Sequence, residues 1–197
     1  APDEFVANRA GVAGGALFWN WETMGGEPSA LASVALRDNA ARGYGDALAT
    51  PARSIVAAHD NATEEVSGTG AFRAPVVVTA YDAYGQRTTT SADADGARVT
   101  LSCATASLGG SYSSVAMADG ECVVDEVSAM LGPSVAIELV AELAFTTPAG
   151  SALRLTDSAG VYLRACESGE YVAGADGAQE CLTCEAPGFF AFEPAVT

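Results

Sequence analysis

Two kinds of hydrophobic spacing divide the chain, and a third stretch has almost none. From Ser54 to Ala165, short apolar runs are separated by turn residues about every 8 to 12 positions, the rhythm of an antiparallel β-sandwich. The runs are Ser54–Ala58, Pro75–Tyr81, Arg98–Cys103, Ser113–Ala118, Glu121–Met130, Ser134–Phe145 and Val161–Ala165. Period-two alternation is clear in Val99-Thr100-Leu101-Ser102-Cys103 and returns in Val135-Ala136-Ile137-Glu138-Leu139. The longer apolar run around Ile137 also fits a helix. Asp82-Ala83-Tyr84-Gly85-Gln86 and Ala118-Asp119-Gly120 have turn composition.

Before Ser54 the chain repeats itself. Phe5, Asn8, Ala10, Gly14, Ala16 and Leu17 align without a gap on Leu36, Asn39, Ala41, Gly45, Ala47 and Leu48, an offset of 31 residues. A period of this length predicts a solenoid, here a stack of parallel β rungs. Small residues allow close stacking. Asparagine tolerates left-handed turns and can ladder with its neighbour, while glycine supplies positive φ at corners. Ala16-Leu17-Phe18-Trp19 would be strand, Asn20 to Ser33 a loop leaving the rung, and Tyr44 to Pro51 the last rung or cap. Because about three rungs are needed to bury a solenoid core, more rungs are expected before Ala1. The competing reading is an Ala/Gly-rich helical hairpin, in which each internal glycine costs about 1 kcal/mol.

From Cys166 onwards little could fill a core, and the cysteines dominate. Cys166-x-x-Gly169-Glu170-Tyr171 is followed by Cys181-x-x-Cys184 and Gly188-Phe189-Phe190, so a cysteine, a short gap, a glycine and an aromatic residue occur twice. Modules without a core are usually held by disulfides, which need an oxidising compartment. Upstream, Cys103 and Cys122 lie on successive expected strands. Their pairing would close a loop of about 20 residues, with ~3 kcal/mol of chain-entropy stabilisation. The alternative is two buried thiols. Zinc competes for Cys181-x-x-Cys184, with Cys166 as a third ligand, but a structural site wants four and the one histidine, His59, lies in another region. A thioredoxin-like redox pair lacks its βαβ setting.

Charge narrows the partners. The 197 residues carry a formal net charge of -16, which disfavours nucleic acid and anionic membrane surfaces. All nine basic residues are arginine, so Schiff-base catalysis and Lys–Asn crosslinks are excluded within this chain. No apolar run approaches the roughly 20 residues that span a bilayer, so no membrane insertion is expected of this segment. Ala1-Pro2-Asp3-Glu4 lacks the basic start and apolar run of a signal peptide, so a secreted parent would carry its signal further upstream. Asn61-Ala62-Thr63 is a glycosylation sequon that agrees with the cysteine-based compartment.

Three resemblances add to this reading. Asn8-x-Ala10-x-x-Ala13-Gly14-Gly15-Ala16 looks like the rungs of right-handed parallel β-helix proteins, and Tyr44-Gly45-Asp46-x-x-Ala49-Thr50-Pro51 resembles their closing rung in very large surface proteins of algae and protists. Pro75 to Gln86 is similar to the second strand and turn of filamin-like or bacterial immunoglobulin-like domains, without the core tryptophan of an antibody domain. Cys166 to Thr197 resembles ephrin-receptor-like cysteine-rich repeats. That resemblance implies pairing of Cys166 with Cys181, and of Cys184 with a cysteine beyond Thr197. The order of the three parts is similar to mastigoneme-type ciliary hair proteins. It implies an all-β chain with the end of a parallel β-helix over 1–53, an immunoglobulin-like β-sandwich over 54–165, and an incomplete cysteine-rich repeat over 166–197.

Candidate chemistry is sparse. A Ser-His-Asp arrangement could use only His59, which beside Asp60 reads as a surface residue. Phosphate-loop glycines lack their Gly-Lys-Ser/Thr ending. Arg9, Arg37, Asp38, Arg42 and Asp46 could serve a carbohydrate lyase or hydrolase, but fit equally as solvated faces. Asp93-Ala94-Asp95-Gly96 opens like a calcium loop, yet position twelve is Ala104 rather than glutamate, so a polar turn is preferred and calcium stays open. No cofactor and no catalysis are expected. The expected role is structural: an extracellular, cell-surface segment whose partners are the rest of a parent chain, with self-assembly into filaments. Trp19, Trp21 and Tyr44 are the stacking candidates for the alternative, a glycan-binding or adhesion module.

Overall fold

The 31-residue repeat folds into two tiers of chain lying edge to edge. The computed structural model describes residues 4–20, 31, 33–60, 62–89, 96–147 and 150–184. The first tier holds β1 (Glu4–Val6), β2 (Arg9–Ala10) and β3 (Leu17–Phe18), and the second holds β4 (Ala35–Arg37), β5 (Ala40–Ala41) and β6 (Leu48–Ala49). Each short strand pairs in parallel with its counterpart, Phe5 with Leu36, Ala10 with Ala41 and Leu17 with Leu48. The helical hairpin reading therefore does not hold.

The backbone repeats as faithfully as the sequence. Ala7 and Asp38 share a φ of 54°, and Gly14 and Gly45 lie at 65° and 67°. The left-handed corners thus fall beside the asparagines, not on them. Asn8 and Asn39 ladder instead: Asn39 Oδ1 accepts from Asn8 N and from Asn8 Nδ2, both at 3.0 Å. Asn39 Nδ2 donates to the Phe5 carbonyl at 3.0 Å. Gly15 is needed for another reason, since a Cβ there would overlap the Asp46 carbonyl of the tier below. Among the described residues only Ala13, Tyr44 and Ala49 form a buried apolar cluster between the tiers, so the tiers rely on backbone pairing and on what lies beyond them.

From Ser54 onwards the regular elements among the described residues are all strands. The strands are β7 (Ser54–Ala58), β8 (Val76–Tyr81), β9 (Arg98–Ser102), β10 (Ser107–Gly110), β11 (Val115–Ala116), β12 (Glu121–Val124), β13 (Val127–Met130), β14 (Val135–Thr146) and β15 (Ala152–Leu163). They form sheets ordered β11-β9-β14-β15 and β12-β8-β7, with β10-β13 as a further pair. The buried faces of all three meet in one apolar cluster. β14 explains why: Ile137, Leu139, Ala141, Leu143 and Phe145 point inward and the residues between them outward. Each aliphatic side chain fully buried in this way contributes roughly 1.5–3 kcal/mol.

Several expected boundaries move. Glu121–Met130 is two strands with different partners, because the exposed pair Asp125-Glu126 carries the chain from β8 across to β10. Ser113–Ala118 shrinks to Val115–Ala116. β10 is built of Ser107, Leu108, Gly109 and Gly110, and has little hydrophobic signal. β15 begins nine residues before the expected Val161, because it is the edge partner of β14 along its whole length and its early residues are only half buried. After it, β16 (Glu170–Ala173) and β17 (Glu180–Thr183) form a small hairpin.

The contact at Gly15 gives a test. Gly15→Ala is expected to lower the local stability of the tiers by about 1–3 kcal/mol, the range for overpacked sites. Amide exchange at Ala40 and Arg42, which donate to the Asn8 and Ala10 carbonyls, should accelerate. Gly11→Ala has open space around the added carbon and should leave both amides unchanged.

Candidate functional site

The polar side chains with the richest environments sit at the joints between regions. The first joint is the turn after β8. Asp82, 3% exposed, accepts through Oδ1 from Tyr84 N at 2.8 Å and Gln86 N at 2.9 Å. Through Oδ2 it accepts from Thr50 N at 3.3 Å and Gln86 Nε2 at 3.0 Å. Gln86 Nε2 also donates to the Leu48 carbonyl at 3.0 Å. Gly85, at a φ of 72°, closes the turn by donating to the Asp82 carbonyl. One carboxylate therefore folds its own turn and holds the second tier against it.

Two aromatic residues complete this joint. Trp19, 5% exposed, donates from Nε1 to Tyr84 Oη at 2.8 Å and packs edge-on against that ring. Tyr44 is buried and its hydroxyl donates to the Thr50 carbonyl at 2.7 Å. Both stacking candidates for a glycan are thus enclosed. Trp21, the third, lies outside the described residues.

The second joint centres on Glu65. Its carboxylate, 1% exposed, accepts from Arg73 N at 2.6 Å, Ala74 N at 2.9 Å and His59 Nε2 at 3.0 Å. Its backbone bonds to the end of β15, receiving from Arg164 N and donating to the Tyr162 carbonyl. His59 is buried, not at the surface as its sequence context suggests, and its ring packs edge-on against Phe72. Its Nδ1 is buried without a hydrogen-bond partner among the described residues, so none of their hydroxyls stands where a triad would put its nucleophile. The neighbouring Asp60 is exposed. Hydrogen bonds from Ala62 N and Thr63 Oγ1 hold its carboxyl below the usual range. Those two residues belong to the sequon, whose Asn61 lies outside the described residues, as do Asp93 and Asp95 of the calcium-loop reading and Gly188 to Phe190.

The third joint carries the disulfide. Cys166 and Cys181 are bonded, with Cα atoms 5.4 Å apart. Closing a loop of this length adds ~3 kcal/mol in the chain-entropy model. Arg164 grips Glu170 with two parallel bonds of 2.9 Å, and this donor holds the Glu170 carboxyl below its ordinary value. Ser67 ties the hairpin to the segment between β7 and β8: its carbonyl accepts from Cys181 N and its hydroxyl donates to the Gln179 carbonyl at 2.6 Å. Cys166, Glu170 and Cys181 do converge. Their two sulfurs are already spent on each other, which removes the zinc reading of this cluster.

The expected Cys103–Cys122 bond is corrected. Both are free thiols, as is Cys184. The expectation assumed successive strands, but β10 and β11 intervene, and β9 and β12 belong to different sheets. Cys122 is buried opposite Val78, and burial pushes its thiol up to about 11. The Cys103 sulfur accepts from Ala106 N at 3.4 Å.

Arg9, Arg37, Asp38 and Arg42 are exposed or half-exposed on the tiers, and Arg37 approaches Glu4 at 4.0 Å. Among the described residues no helix is long and apolar enough to cross a membrane. Sequence reasoning missed Glu65, Asp82 as a junction residue, and Arg164. A buried glutamate has no local signature when its donors are backbone amides eight and nine residues away. Comparison with protein-family models, curated proteins and solved structures finds no match.

Thiol mapping checks the corrected pairing. Under non-reducing, denaturing conditions alkylation should label Cys103, Cys122 and Cys184 and leave Cys166 and Cys181 linked. In the folded protein Cys122 should react slowest, being buried and held protonated. Recovery of a peptide joining Cys103 to Cys122 would reverse the assignment.

Proposed function

We propose that this chain is a structural, extracellular segment of a large cell-surface glycoprotein, similar in architecture to mastigoneme-type ciliary hairs, and that it has no catalytic role. In this reading the two tiers are the last rungs of a right-handed parallel β-helix, the paired sheets an immunoglobulin-like sandwich, and the disulfide hairpin the start of an ephrin-receptor-like cysteine-rich repeat. Its partners are the rest of the parent chain and, through assembly, other copies in a filament. Cys184 is the point at which we place a further disulfide to that parent.

One observation carries the reading: the groups best suited to chemistry or to stacking are used up in joints. Trp19, Tyr44, His59, Glu65 and Asp82 are all buried. Trp19 and Asp82 bond between tier and turn, and Tyr44 bonds within the second tier. Glu65 accepts from His59 and from the Arg73 and Ala74 amides, and the Glu65 backbone bonds to the end of β15. A protein that must transmit load gains from closed joints, whereas a glycan site needs exposed aromatic faces and a catalyst needs reachable acids. The single disulfide fits an oxidising location.

Labelling of intact source cells with an antibody to this chain tests the proposal. Staining of non-permeabilised cells is expected, in a pattern continuous along a surface structure in electron micrographs. Label found only after permeabilisation would overturn the extracellular assignment. Saturable binding on a glycan array, lost in a Trp19→Ala variant that still folds, would favour the adhesion reading instead.

A further inference from the structure

The two tiers are closed on one side and open on the other, and the difference is chemical. Ala10 faces the second tier, because its carbonyl accepts from Arg42 N. Ala41, directly below it, faces away, and its amide is capped by Asp46 Oδ1 at 3.1 Å. Trp19 N donates to the Ala49 carbonyl, whereas Thr50 N, one repeat later, donates to Asp82. Leu48 also faces away from the first tier, and its carbonyl is taken by Gln86. Side chains thus close the outer edge of the second tier at three places. Asp46 occupies the position aligned with Gly15, where any Cβ would collide with a tier underneath, so no third tier can follow there.

Among the described residues the outer edge of the first tier has no such caps. By the same 31-residue register, Arg9, Gly11 and Val12 direct their amides away from the second tier, as Ala40, Arg42 and Gly43 direct theirs towards the first. These three amides have no hydrogen-bond partner among the described residues. Asn39 Oδ1 receives two bonds from Asn8, while Asn8 Oδ1 receives none among the described residues. Phe5, Val6, Val12 and Phe18 are 37%, 47%, 46% and 40% exposed around this edge. An uncapped edge of this kind is a template for another strand.

We infer that the outer edge of the first tier is a docking surface for one more parallel tier of the same chemistry. The incoming segment carries an asparagine over Asn8, donating from its backbone and side-chain nitrogens to Asn8 Oδ1. It carries small residues over Ala10 and Ala16 and a glycine over Gly15. A side chain at that last position is excluded, for the reason that Asp46 ends the stack on the other side. A second copy of the chain cannot supply this surface head to tail, because its matching edge is occupied by Asp46, Asp82 and Gln86. The inference rests on reading the tiers as rungs, and it adds the direction in which they grow and the pattern they accept.

A tandem variant tests it: the 31 residues Glu4–Val34 duplicated directly ahead of Glu4. Amide exchange at Arg9, Gly11 and Val12 is expected to slow about tenfold or more, as protection from local opening requires. Amides of β14 should be unchanged and report that the sandwich is intact. The same duplication carrying Gly15→Asp in the added copy should leave the three amides fast. Unchanged exchange with the unmodified duplicate overturns the inference. So does equal protection from the Gly15→Asp duplicate, or protection already present in the original chain at dimeric mass. Surface labelling of cells is independent of all these outcomes, so failure of the docking edge and failure of the scaffold role are distinguishable.

Discussion

Everything on the N-terminal side of Ser54 depends on the Asp82 carboxylate. The two tiers bury too little apolar surface to hold themselves, with a cluster of three residues between them. Their second edge would present unpaired amides and carbonyls, and a buried unpaired backbone group costs about 1–3 kcal/mol. Asp82 removes that cost at Thr50 while its other oxygen shapes the turn that positions Gln86 and Tyr84. The turn after β8 thereby serves as the end cap of the tiers.

The same logic recurs at the other end. Glu65 is a buried acid whose bonds are nearly all to backbone amides, and its own backbone docks on β15. Ser67, two residues on, ties the hairpin to the segment between β7 and β8, and the disulfide removes freedom that the hairpin could not offset with a core. Tier and hairpin thus share one construction rule: each has backbone groups closed by a side chain from the central sheets' turns, Thr50 N by Asp82 and the Gln179 carbonyl by Ser67.

The sequence made the elements with a period legible. The 31-residue repeat predicted the tier register to the residue, because parallel stacking leaves the repeat no other alignment. The spacing of apolar runs between turn residues predicted β7 to its exact ends and most of β14, and alternation marked β9. Legibility failed where a residue's partner is remote. β10 has no pattern, since its glycines answer to the Glu126 backbone and to Ser128 across the pair. Cys103 and Cys122 looked adjacent because β10 went unseen and the expected strand Ser113–Ala118 between them was passed over. His59 looked like a surface residue because Glu65 and Phe72 reach it through folding.

The most direct test of the central claim is amide hydrogen exchange at Thr50 in the unmodified chain and in Asp82→Asn. Asparagine keeps the size of the side chain but replaces one acceptor with a donor. The account predicts a protected Thr50 amide that becomes fast in the variant, with the thermal midpoint lowered and the amides of β14 still protected. A Thr50 amide that exchanges freely in the unmodified chain, or stays equally protected in Asp82→Asn, would contradict it.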